Sequence, residues 1–134
     1  MSSVKKYLFP LAEFFVKHDW RKRRRVKRYL RDHQVVKLQL GSGVHILPDW
    51  LNTDKSISGC LAGAVYMDVG KQFMLPENSV NYVYSEHLFE HLTFSQAKNM
   101  LKECCRVMKT DGVIRIATPS LEFLLDLYKN PEKE

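Results

Sequence analysis

The chain has 134 residues, 45% of them hydrophobic and 27% charged, with a net charge of +6. This is the composition of one ordinary domain with a single modest core. Three cysteines, Cys60, Cys104 and Cys105, are an odd number with two adjacent, which argues against a disulfide framework and for a reducing, cytoplasmic compartment.

No stretch approaches the roughly 20 apolar residues that cross a bilayer. The segment "YLFPLAEFFV" is broken by Pro10 and Glu13 and lacks a small-residue cleavage site, so it does not read as a signal peptide. The charge is uneven. Residues 1–37 hold 12 Lys and Arg against 3 Asp and Glu, whereas residues 38–134 hold 9 against 12. The basic character therefore belongs to an N-terminal extension, residues 1–34. There Tyr7, Leu8, Leu11, Phe14 and Phe15 recur at helical spacing, and in "RKRRRVKRYLR" Val26, Tyr29 and Leu30 form a thin apolar stripe among cations. Two amphipathic helices, or one bent near Asp19, satisfy the pattern. Such a helix can pack on the main domain, lie on an anionic membrane surface, or bind nucleic acid. The last is least favoured, because charge alone carries no sequence information.

From Val35 the pattern changes to short β-rich runs: "VVKLQL", "WLNTD", "AVYMDV", "VNYVYS" and "GVIRIATP". Between the fourth and fifth lies the clearest helix. Thr93 and Gln96 make a capping box, Ala97, Met100, Leu101, Cys104, Cys105 and Met108 form an apolar face, and Gly112 is placed to end the helix at positive φ. "SLEFLLDLYKN" reads as a final amphipathic helix. Alternating strands and helices predict an α/β, Rossmann-like parallel sheet of about five strands in residues 35–134, flanked by helices and preceded by the basic helical extension.

In open α/β sheets, ligands bind beyond the carboxyl ends of the strands. Collected there are Gly41, Ser42 and Gly43 after the first strand, Asp54 after the second, Asp68 after the third, and Ser85, Glu86 and His87 after the fourth. Glycines let a ligand approach backbone N–H groups that a Cβ would shield. Asp54 can accept two hydrogen bonds from a ribose diol, and Asp68 can accept from an exocyclic amine or a ribose. Together they suggest a nucleoside pocket without a diphosphate cradle.

The stretch "SEHLFEHL" also spells H-x-x-E-H from His87, a zinc signature in which His87 and His91 bind metal and Glu90 acts as base. That reading needs a third ligand, for which Glu103, Glu122 and Asp126 are nominal candidates. It accounts for neither the glycine turn nor the two acids, so no metal is expected. His91 and Glu90 read equally well as local structural residues.

In this order "LQLGSG", "WLNTD", "YMDV", "LPENSVNYVYSEHLFEHL" and "AKNMLKECCRVMKTDGVIRIATPS" resemble a class I S-adenosylmethionine-dependent methyltransferase, over residues 36 to about 125. The resemblance implies S-adenosylmethionine as cofactor. Gly41, Ser42 and Gly43 would line its methionine part, Asp54 its ribose, and Asp68 with Val69 its adenine. Ser85 and Glu86 would close over the amino acid end. Gln39 stands where many members carry an acid, and its side-chain oxygen can meet the cofactor's amino group. His45 replaces a third glycine. Only ten residues separate Gly43 from Asp54, so the first crossover helix is expected to shrink to a turn. His87 would stand near the transferable methyl and is the candidate base.

Members of this class usually add a helix and an antiparallel hairpin after the fifth strand, where this sequence ends in "NPEKE". A fragment, a minimal protein that covers its open edge by self-association, and a non-catalytic module are the three readings of that difference. Two functions follow. One is a methyltransferase acting on an unidentified small-molecule, glycan or lipid-linked acceptor, peripheral at a membrane; the other is a degenerate module that binds anionic membrane or nucleic acid.

Overall fold

The computed structural model describes Phe14 and residues 21–130. The expected helix of residues 1–20, with its bend near Asp19, otherwise lies outside the described residues. Among the described residues five strands form one sheet: β1 (Lys37–Leu40), β2 (Leu51–Asp54), β3 (Val65–Tyr66), β4 (Val80–Glu86) and β5 (Met108–Ala117). Their order is β3-β2-β1-β4-β5 and every neighbouring pair is parallel. This is the expected α/β architecture. The direction of winding reverses between β1 and β4, which places a crevice at the carboxyl ends of those strands.

From Arg21 onward the described residues form four α-helices: α1 (Arg21–Asp32), α2 (Ile57–Ala62), α3 (Phe94–Val107) and α4 (Leu121–Lys129). The basic helix α1 is fastened to the sheet. Its Val26 is buried in the core, and Tyr29 and Leu30 pack against that core. Arg25 donates to the carbonyls of Gly63 and Ala64, and the Tyr29 hydroxyl accepts the Lys37 N–H at 3.1 Å. The cationic side chains Arg23, Lys27, Arg28 and Arg31 remain exposed.

Leu38 and Leu40 of β1, Val80 and Val83 of β4, and Met100, Cys104 and Val107 of α3 make the centre of the core. Each such aliphatic side chain contributes about 2 kcal/mol by leaving water. The buried face of α3 differs from the expected one. Met100, Glu103, Cys104 and Val107 point inward, while Leu101 and Cys105 are exposed. The reason is Glu103, a carboxylate that the apolar pattern cannot count. It accepts the Phe73 N–H at 2.8 Å and pairs with Arg106 at 2.6 Å, while Arg106 donates to the carbonyls of Leu75 and Phe73. The bond from Arg106 holds the Glu103 carboxyl below its usual range, against the effect of burial. The pair thus pins the connection between β3 and β4 to α3. Burial of Cys104 pushes its thiol up to about 12.

The expected end of α3 at Gly112 is also corrected. The helix stops at Val107, and the Met108 N–H bonds back to the Cys104 carbonyl as the chain passes directly into β5. Gly112 lacks the positive φ that a helix-ending glycine would adopt. It sits in the register break between Val80/Met108 and Tyr82/Val113, where a Cβ would lie 2.9 Å from the Lys109 carbonyl oxygen. Close backbone approach, and not helix termination, requires glycine there.

Candidate functional site

The glycine turn begins where β1 ends. Gly41 and Gly43 both take positive φ, 69° and 52°, so the chain can reverse over the sheet edge. A Cβ on Gly41 would lie 2.9 Å from the Leu88 side chain. The expected loss of the first crossover helix is found: no helix separates β1 from β2. Asn52 organises the loop instead, accepting the Leu47 N–H at 2.9 Å and donating to the Leu47 carbonyl.

Asp54 ends β2 and is fixed from both sides. Gly43 donates its N–H to Oδ2 at 2.7 Å, and Ser56 donates its N–H to Oδ1 at 2.5 Å. Gly59 of α2 makes this packing possible, since a Cβ there would lie 2.7 Å from Asp54 Cβ. An ionised carboxylate has about four acceptor positions, so Asp54 keeps capacity for two further donors such as a ribose diol.

Asp68 follows β3. Its Oδ1 accepts the Gly70 N–H at 3.0 Å and its Oδ2 meets the Lys55 ammonium at 3.1 Å. Burial pushes its carboxyl up, but the Gly70 and Lys55 donors outweigh that and leave it below the usual range. Asp54, Lys55, Asp68 and Val69 line a cleft of about 240 Å³ together with Gly41, and Leu88, His91, Leu92 and Gln96 close the other side.

The remaining expected site residues are not among those that line this cleft. Ser42 is buried in the turn, and its N–H bonds the Thr53 carbonyl. Gln39 and Ser85 are buried beneath the strand ends, and Gln39 Oε1 and Ser85 Oγ have no hydrogen-bond partner within the protein. Glu86 accepts the Tyr84 hydroxyl at 2.8 Å and is exposed. His87 does not line the cleft. It has φ of 49° at the end of β4, its N–H bonds the Ala117 carbonyl, and its Nδ1 lies 3.3 Å from Glu90 Oε1.

Sequence reasoning missed Lys55, Leu88, His91 and Gln96 as cleft residues. The signal for Lys55 was its place directly after Asp54. Gln96 had been assigned only to the capping box, which is present: the Thr93 side chain accepts the Gln96 N–H and Gln96 accepts the Thr93 N–H. The H-x-x-E-H stretch does not form one helical face. The left-handed turn at His87 is followed by a single 3-10 turn, Phe89–His91. Among the described residues no group of three or more His, Cys, Asp or Glu is placed to hold a metal ion. No helix among them is long and apolar enough to cross a membrane.

A parallel sheet with this order, a glycine turn after β1 and acids after β2 and β3 defines the class I methyltransferase fold. The chain belongs to the methyltransferase-domain family, whose model matches residues 42–116. S-adenosylmethionine is the cofactor of that family. Among solved structures the chain resembles a candidate S-adenosylmethionine-dependent methyltransferase from Methanococcus maripaludis, with a TM-score of 0.55 and 17% identity over 96% of this chain and 68% of that one. A methyltransferase from Archaeoglobus fulgidus matches with a TM-score of 0.56 and 23% identity, over 93% of this chain and 65% of that one. Phosphoethanolamine N-methyltransferase 2 from Haemonchus contortus, in complex with phosphomonomethylethanolamine and S-adenosylhomocysteine, matches at 0.50 and 16% over 82% of this chain and 32% of its own length. At these identities the likeness is one of fold. The chain spans about two thirds of the archaeal structures and about one third of the nematode enzyme. Comparison with curated proteins gives no match.

The residues present fit the cofactor. Two buried side-chain oxygens lack partners at the ends of β1 and β4, two carboxylates keep acceptor capacity, and the glycine turn leaves open space at Gly43, where a Cβ would meet no atom within 4 Å.

Proposed function

We propose that this chain binds S-adenosylmethionine between Asp54 and Asp68 and transfers its methyl group to a small-molecule, glycan or lipid-linked acceptor. The observation that carries the reading is the clamp on Asp54, held by the N–H groups of Gly43 and Ser56 so that its free acceptor positions stay fixed. When bound, the cofactor supplies a methyl group on an electron-poor sulfonium.

The chain's own residues bind, orient and move a proton. Asp54 holds the ribose hydroxyls, Asp68 and Val69 hold the adenine, and the Gly41 turn admits the methionine portion. Gln39 and Ser85 direct their unpartnered oxygens to its amino acid end, with Glu86 beside them. His87 takes the acceptor's proton. With Nδ1–H given to Glu90, Nε2 is the nitrogen left to accept a proton, and it has no hydrogen-bond partner among the described residues.

The exposed cations of α1 support peripheral docking on an anionic membrane, where each adds about 1 kcal/mol. Calorimetric titration with S-adenosylhomocysteine tests the cofactor reading. Micromolar affinity is expected, and no binding at millimolar ligand overturns it. Sedimentation with phosphatidylserine vesicles at low and high salt tests the docking; equal binding to neutral vesicles removes it.

A further inference from the structure

We infer that Lys55 reads the base of the bound nucleoside, donating to a ring nitrogen of adenine while Asp68 accepts from the adjacent amino group. The inference rests on the cofactor reading above and adds to it a residue that sets base specificity.

Among the described residues that line the cleft, Lys55 is the one Lys or Arg. It follows Asp54 directly, so the residue clamped for the ribose also fixes where the Lys55 backbone enters the site. Its ammonium already sits 3.1 Å from Asp68 Oδ2, and its side chain is 56% exposed against 14% for Asp68. The ammonium can therefore pivot on a flexible stem while the carboxylate stays in place. Each Asp68 oxygen accepts one bond, from Gly70 and from Lys55, which leaves room for the base amine on either.

The pair presents an acceptor beside a donor. The adenine edge presents the complement, an amine donor beside a ring-nitrogen acceptor. Hypoxanthine carries a carbonyl in place of the amine and a proton on the neighbouring ring nitrogen, so it sets lone pairs against the Asp68 carboxylate and an N–H against the Lys55 ammonium. A carboxylate alone would reward the amine. The added ammonium also rewards the neighbouring ring nitrogen and keeps Asp68 ionised as an acceptor.

Binding of S-adenosylhomocysteine and of its deaminated analogue S-inosylhomocysteine, measured by calorimetry on the full chain, tests this. The wild-type protein is expected to prefer the adenosyl compound, K55M to lose about tenfold of that preference, and K55R to retain most of it. A wild-type protein that binds neither compound overturns the cofactor reading itself. A wild-type protein that binds the adenosyl compound, with K55M discriminating equally well, overturns the role of Lys55 alone. Equal melting temperatures for the three proteins separate recognition from folding, and a K55M protein that melts early yet discriminates like wild type also counts against the role.

Discussion

Gly43 donates its N–H to Asp54 Oδ2 at 2.7 Å, which joins the turn after β1 to the acid after β2 as one unit. The two expected site features are therefore not independent, and a change in either acts on both. D54N keeps the size of the side chain but removes its charge. We expect S-adenosylhomocysteine affinity to fall about 10- to 100-fold, with a stability loss of about 1 kcal/mol as the turn loosens. Titration together with urea denaturation checks both, and unchanged affinity would place the ribose elsewhere.

The position of Gly41 makes a second prediction. Alanine there must hold φ near 69° and place its Cβ 2.9 Å from Leu88. G41A should lose roughly 1–2 kcal/mol of stability and weaken cofactor binding as Leu88 is displaced into the cleft. Denaturant midpoints and calorimetry measure the two effects; a variant equal to wild type in both denies the turn its role.

His87 and His91 separate chemistry from binding. His87 pairs with Glu90 outside the cleft, whereas His91 lines it. Once an acceptor is in hand, H87A is expected to lower kcat about 100-fold with cofactor affinity preserved. H91A should weaken cofactor binding and leave kcat at saturation near wild type. The opposite pattern would move the base to His91.

Glu103 sets an acid limit. Its carboxyl is lowered chiefly by the Arg106 hydrogen bond, so the stability it contributes is fully present above its unfolded pKa of about 4.3 and is lost as pH falls through the lower folded value. E103Q removes the charge opposite Arg106, which keeps the Leu75 and Phe73 carbonyls, and should cost roughly 2 kcal/mol at neutral pH. The gap between the two proteins should narrow below pH 4. Thermal melts from pH 3 to 7 test the sign, and a gap that widens in acid rejects the assignment.

The sequence made the strands, their parallel arrangement and the glycine turn legible because each leaves a local pattern: a short apolar run, then glycine or an acid at its end. The capping box at Thr93 was legible for the same reason. What stayed hidden depends on partners distant in sequence. Glu103 stood outside the expected apolar face, and only its partners Phe73 and Arg106, distant or unmarked in the pattern, turn it inward. Gly112 signalled a break, but whether it ended a helix or opened a register shift depended on Val80. Lys55 and His91 entered the cleft through the direction of side chains after a strand and within a 3-10 turn, which residue spacing does not encode.

Strand β5 is one of the two edges of the sheet, and the helix that follows it, α4, buries none of its residues, with Leu121, Phe123 and Tyr128 more than half exposed. Among the described residues no strand pairs with the outer side of β5, and Lys109, Asp111 and Arg115 stand along it. Charged side chains along an edge disfavour its pairing with a second copy. Salt that screens these charges beyond about 10 Å should weaken that protection, so added salt is expected to favour association through this edge.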